Sequence, residues 1–269
     1  MCGVLGIAEW NGSILSHNIQ PALDIISSRG PDDYGIVQEA WFQTAHRRLS
    51  ILDLTWRGHQ PFQDQSGRYL LVFNGEIYNY RELRQTLKTQ GIVFQTESDT
   101  EVLIEKFARE GVSCFSDFHG MFAGAIFDRA KKVVYLFRDR LGVKPLYFTI
   151  NDGLVAFAST SSAISYLFGG LSIDHAQLFN YMAFRSADVH SSFYVGVRAL
   201  KPGTIVKIGE HETKEMTFWS LPQQFGKVET SMTEQDAVEG LAFFQQLKNE
   251  WFPTYLLALF SPVDWTPPL

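Results

Sequence analysis

The chain has 269 residues, a formal net charge of -6, 45% hydrophobic and 19% charged residues, the proportions of an ordinary globular protein. The acidic balance disfavours nucleic acid or an anionic membrane as main partner, and its 2 cysteines, Cys2 and Cys114, leave no disulfide framework. The opening MCGVLGIAEWNGS lacks a basic n-region and a long apolar h-region, so no secretory signal is expected and a cytoplasmic location is.

Residues 3–10 read as an apolar strand closed by Asn11-Gly12. Ile19, Leu23 and Ile26 recur at helical spacing, and Ser28-Arg29-Gly30-Pro31 stops that helix. A loop is expected through Asp32, Asp33 and Gly35. Residues 68–73 are strand-like and run into Asn74-Gly75; Tyr80, Leu83 and Leu87 then mark one helix face, ended by Gly91. Ser98-Asp99-Thr100-Glu101 has the capping-box form, with Val102, Leu103 and Phe107 behind it and Gly111 at the far end. Beyond Met121 the texture turns to strands at 122–127, 133–137, 145–150 and 154–158, separated by hairpin signals at 128–131 and 151–153. Pro202-Gly203 opens a further strand pair near 204–208. Such an order predicts antiparallel sheets with helix-covered faces, an α+β fold. Near the end, Thr233 caps a predicted helix bearing Ala237, Leu241, Phe244 and Leu247. Pro253 breaks it, and the apolar run 255–260 is too short for a bilayer but a candidate aggregation site.

Cys2 by itself reads most simply as a small hydrophobe at a strand start. Its position adds a second reading: a residue this small favours removal of Met1. The freed α-amine, with a pKa of about 8, then serves as the base that activates the thiol. Asn74-Gly75 reads as a type I′ turn or as an oxyanion hole built from an amide and a backbone N–H. Asp99 complements a helix dipole or binds an ammonium group; Arg48 is a solvated arginine or grips a carboxylate. A free amino acid needs one of each.

These residues sit in blocks that resemble the class II, N-terminal-nucleophile glutamine amidotransferase domain of glutamine-hydrolysing asparagine synthetases. The blocks are MCGVLGI at 1–7, SRGPDDYG at 28–35, HRRLSILD at 46–53, FNGEIYNYRELR at 73–84, ESDTEVL at 97–103, GMFAGAIFD at 120–128 and FRDRLGVKPLYF at 137–148. Later echoes are FAS at 157–159, LKPGT at 200–204 and FWSL at 218–221. The resemblance implies a four-layer αββα sandwich of two antiparallel sheets, the N-terminal nucleophile hydrolase fold. It implies that Cys2 attacks the carboxamide of L-glutamine and that Asn74 and Gly75 hold the oxyanion. Arg48 would bind the α-carboxylate, with Leu49 and Ile51 along the same wall. Glu76 and Asp99 would hold the amide and α-ammonium ends. No metal or cofactor is implied for this reaction.

Two departures from the family pattern stand out. Ser28 replaces the histidine that usually precedes RGPD, and no SGGxDS phosphate loop follows. The expected organisation is therefore a glutaminase domain over 2–221, with 222–269 a truncated or frameshifted start of a synthetase domain. ATP and Mg would belong to that missing domain, supplied by a synthetase domain or subunit in trans. A non-catalytic remnant, or a glutamine-binding or partner-docking module, is the alternative.

Overall fold

A computed structural model describes residues 1–11, 14, 17–50, 56–151, 153–185 and 190–221. Cα packing divides the chain into Met1–Ser220 and Leu221–Leu269. The helix expected from Thr233 and the apolar run at 255–260 lie outside the described residues.

Within the first unit the chain runs β1 (Gly3–Glu9), α1 (Gln20–Ile25), β2 (Asp33–Gln38), β3 (Phe42–Arg48), β4 (Phe62–Gln63) and β5 (Tyr69–Ile77). It continues through α2 (Tyr80–Thr89), α3 (Asp99–Glu110), β6 (Gly120–Asp128), β7 (Val133–Arg138), β8 (Tyr147–Asn151) and β9 (Leu154–Ala158). The last described elements are α4 (Ser161–Leu167), α5 (His175–Phe184), β10 (Arg198–Ala199), β11 (Thr204–Ile208) and β12 (Thr213–Thr217). The strands form two six-stranded sheets, ordered β10-β8-β9-β1-β3-β2 and β12-β11-β7-β6-β5-β4. Every named pairing is antiparallel, as the tight hairpins predict.

Side-chain alternation produces the layers. Along β1, Val4 and Ala8 join Leu70, Val72, Phe127 and Phe157 in the core between the sheets. Leu5 and Ile7 point the other way, against Leu23 of α1 and Ile164 of α4. Along β5, Leu70 and Val72 face the opposite sheet, while Leu71 and Phe73 pack on Leu103, Ile104 and Phe107 of α3. Helix, sheet, sheet, helix is the order that results, the expected αββα sandwich.

Two local expectations are corrected. The polar stretch through Asp33 is strand β2, because its backbone pairs with β3 from Asp33↔Arg48 to Gln38↔Gln43. Asn74-Gly75 is no turn: both lie inside β5, opposite Ala123 and Phe122. A long pairing partner outweighs the local turn preference.

The capping box at 98–101 forms in one direction. The Ser98 hydroxyl accepts the Glu101 N–H at 3.3 Å. The Glu101 carboxylate instead accepts the N–H groups of Gln95 at 2.8 Å and Thr96 at 2.7 Å. It thereby pins the loop that delivers Asp99. Glu101→Ala would orphan two backbone donors, so a loss of about 2–4 kcal/mol is expected in denaturant unfolding.

Candidate active site

The inward alternation that builds the core continues past its last apolar residues. Cys2 stands two residues before Val4, Asn74 and Glu76 follow Val72 at the same parity, and Arg48 shares the inward face of β3 with Phe42. Chemistry-bearing side chains therefore replace the hydrophobic ones at one end of the sandwich. A cavity of about 140 Å³ lies there, lined by Cys2, Arg48, Leu49, Asn74, Gly75, Glu76, Asp99 and Lys144, among others. Seven of the eight site residues expected from the sequence thus meet on one cavity. Ile51 lies outside the described residues.

The Cys2 thiol is half-buried; its sulfur accepts the Leu49 N–H at 3.4 Å and donates to the Leu49 carbonyl at 3.6 Å. Burial pushes the thiol pKa up, opposed by the Leu49 backbone contact, the chain-terminal amine, Arg48 and Lys144. The terminal amine, carried here by Met1, moves the other way. Burial lowers it, Arg29 and Lys144 lower it further, and the Cys2 and Asp32 charges oppose. Arg29 also ties the Cys2 backbone, donating through Nε to the Cys2 carbonyl at 3.1 Å. Its neighbour Ser28 is exposed and absent from the cavity wall, so the departure from the family histidine touches neither thiol nor cavity.

The edge of β5 explains why Asn74 and Gly75 matter. β4 covers only Leu70 and Leu71, leaving the following edge amides without a strand partner. The Phe73 N–H is taken by Gln60 Oε1 at 2.7 Å and the Ile77 N–H by Asp99 Oδ2 at 2.8 Å. By alternation the Gly75 N–H between them points to the same side, into the cavity. A Cβ at Gly75 would stand 2.2 Å from the Met121 carbonyl oxygen, so only glycine fits. Beside it, Asn74 Nδ2 is buried with no hydrogen-bond partner. Such an orphaned donor costs about 1–3 kcal/mol unless a ligand oxygen takes it.

His46 holds this strand from behind. Its ring is fully buried and Nε2 lies 3.1 Å from the Phe73 carbonyl oxygen. A carbonyl only accepts, so Nε2 carries the hydrogen and Nδ1 is bare. Burial lowers the pKa to about 3, opposed by the Phe73 bond, so the ring is neutral across the physiological range. The histidine lies in the quoted HRRLSILD block, yet nothing in the spacing marks it as a link between sheets.

Arg48 is 7% exposed, which sets aside its solvated reading; Asp99, 4% exposed, stands in the first turn of α3, where its carboxylate also faces the helix dipole. Burial drives the Asp99 carboxyl up to about 7, against the Ile77 N–H that holds it down, and the Glu76 charge adds to the rise. Glu76 is itself raised by burial, with Lys144 opposing. Two carboxyls with raised pKa values share a small cavity with an arginine and a lysine, a pattern concentrated at functional sites. Sequence reasoning did not single out Lys144 or Gln60, whose signals are purely tertiary. Among the described residues no cluster of three or more His, Cys, Asp or Glu is placed to hold a metal ion. None of their helices is long and apolar enough to cross a membrane.

A family model described as "Glutamine amidotransferase domain" matches residues 1–219. Asparagine synthetase [glutamine-hydrolyzing] 2 of Bacillus subtilis (strain 168) is 36% identical over 241 residues, 82% of this chain and 31% of that protein. Amidase chyE of Penicillium rubens is 30% identical over 225 residues, 83% of this chain and 33% of that protein. The chain thus spans about a third of the length of these curated relatives. Among solved structures, the glutamine phosphoribosylpyrophosphate amidotransferase of B. subtilis superposes with a TM-score of 0.60 at 22% identity. It covers 81% of this chain and 49% of its own. That likeness shows the shared αββα fold of the N-terminal nucleophile amidotransferases. The chain belongs to the class II glutamine amidotransferase domain family.

Proposed function

We propose that this chain hydrolyses L-glutamine to glutamate and ammonia through a γ-glutamyl thioester on Cys2. Removal of Met1 places the α-amine on Cys2 itself and takes a side chain off the cavity wall. The amine accepts the thiol proton, and the sulfur attacks the carboxamide carbon. Asn74 Nδ2–H and the Gly75 N–H receive the developing oxyanion. The amine returns its proton to the leaving nitrogen and ammonia departs. Water then attacks the thioester, releasing glutamate and restoring the thiol. Arg48 grips the α-carboxylate through charge-assisted bonds, Asp99 takes the α-ammonium, and Glu76 orients the amide end.

The observation that carries this reading is the pair of unfilled donors, buried Asn74 Nδ2–H and the Gly75 edge amide, on the cavity that holds the Cys2 sulfur. Asn74→Ala is expected to lower kcat by about 10²–10³ with little change in KM, because the bond it removes strengthens in the transition state.

The relatives' name suggests a use for the ammonia: amidation of aspartate by a synthetase domain or subunit. The reading for this chain is confined to the glutaminase half-reaction. Its test is glutamate release from glutamine by the purified chain, without any phosphosugar. Turnover supports the reading and no turnover overturns it.

A further inference from the structure

The FRDRLGVKPLYF block at 137–148 has no part in the mechanism above, yet buried Asp139 and half-buried Arg138 hold its loop at several backbone atoms. Asp139 is 1% exposed. Its Oδ1 accepts the N–H groups of Leu141 and Val143, both at 3.0 Å. Its Oδ2 accepts those of Lys144 at 3.0 Å and Phe122 at 3.2 Å. Arg138 donates to the carbonyls of Lys144 at 2.8 Å, Gly142 at 2.7 Å and Leu200 at 2.6 Å. Lys144 is therefore fixed through both its N–H and its carbonyl. Phe122, bound by the same carboxylate, is the β6 residue opposite Gly75, so one group ties this loop to the strand beside the oxyanion donor.

All this holds a lysine whose side chain is 8% exposed and reaches the cavity wall beside Cys2, Asn74 and Glu76. Among the described residues no carboxylate makes a hydrogen bond or close ion pair with its ammonium. Burial lowers its pKa, and the charges of Glu76 and Cys2 oppose that loss. A buried cation without a bonded anion suits a place where negative charge forms during a reaction.

We propose that Lys144, its backbone fixed by the 138–144 loop, is a positioning residue for the glutamine reaction, its ammonium the positive charge that favours thiolate at Cys2 and free amine at the chain terminus. The inference rests on Cys2 as the nucleophile. The other charges facing Cys2 and the terminus are Arg29, Asp32 and Arg48, with Glu76 across the cavity. Arg29 is committed to the Cys2 carbonyl and Arg48 to the α-carboxylate of the proposed substrate. Lys144 alone of the three cations has no such commitment, and one charge there biases both titrating groups of the nucleophile in the useful direction.

The test is the pH dependence of Cys2 alkylation by iodoacetamide in the purified full chain, with peptide mass mapping to separate Cys2 from buried Cys114. Lys144→Met should raise the midpoint by about one pH unit, and Lys144→Arg should restore it. Lys144→Gln serves if circular dichroism shows the Met variant unfolded. Glu76→Gln separates direct action from a mere Lys144–Glu76 pairing: the Lys144 dependence should persist in that background. A midpoint unmoved in a folded Lys144 variant overturns the inference, as does a dependence lost with Glu76→Gln. Wild-type chain that hydrolyses glutamine with an indifferent midpoint overturns this inference alone. Wild-type chain with a Lys144-dependent midpoint and no turnover overturns the glutaminase reading and leaves the charge assignment standing.

Discussion

Cys2→Ala is expected to abolish glutamate release, with kcat lower by at least about 10⁴, while glutamine still binds. The size follows from removing the proposed nucleophile, since no other thiol lines the cavity. Binding should survive, because in the proposed pose Arg48 and Asp99 hold the ends of the amino acid, not its reacting amide. The fold should survive too: the Cys2 side chain bonds only to the backbone of Leu49, just ahead of β1. Alanine at position two also permits Met1 removal, so the variant differs from the parent at one atom. Steady-state glutamate release paired with glutamine titration calorimetry checks both halves.

Asp99→Asn raises KM for glutamine by about 10²-fold or more, because a buried charge-assisted contact is lost and the α-ammonium is left unpaired. The same position governs the pH profile. Burial pushes the wild-type carboxyl up to about 7 in the free protein. KM therefore rises as pH falls below about 7, since the ammonium requires the carboxylate, and the Asn variant is flat across that window. Stability moves oppositely. The folded pKa lies above the unfolded value of 3.8, so this group contributes stability below about 4 that is lost as pH rises through 7. The ligand-free Asn variant, whose amide oxygen still accepts the Ile77 N–H, should be more stable than wild type at pH 8 by about 2–4 kcal/mol. His46 has the reverse sign. Its folded pKa of about 3 lies below the unfolded 6.5, so its contribution is present above 6.5 and lost as pH falls through 3. A site residue that destabilises its own fold until substrate arrives is a common trade between binding and stability.

The elements legible in the sequence are those whose own pattern agrees with their pairing. Apolar runs between hairpin signals at 122–127, 133–137 and 154–158 fall on β6, β7 and β9. The Ser98 cap and the Val102, Leu103 and Phe107 stripe fall on α3. β3 was not legible, because its inward face turns from Phe42 to Thr44, His46 and Arg48 as it enters the site. Function there breaks the alternation that identifies a strand. β2 depends on β3 for its pairing and vanished with it. The helices α4, which has no side-chain cap, and α5, whose Asp174 cap precedes a weakly patterned run, also went unread. Asn74-Gly75 misled locally for a related reason: the residues that make a good turn also make a good donor pair, and only the β6 pairing decides between them.

The site was legible differently. Position made Cys2 a candidate, and the spacing of whole blocks, through their resemblance to a family, supplied the other residues. Taken alone, Arg48 read as a surface group and Asp99 as a helix-dipole complement; their burial on one cavity is what the local pattern did not show. Lys144 had no local signal, since its part depends on Asp139 and Arg138 folding a loop back onto the cavity.

The central claim is that Cys2, freed of Met1, is the nucleophile. Intact-mass analysis of the purified chain after a glutamine-analogue electrophile tests it most directly. The account predicts a chain lacking Met1 and carrying one adduct, mapped to Cys2. An unmodified chain, or an adduct elsewhere than Cys2, would contradict it.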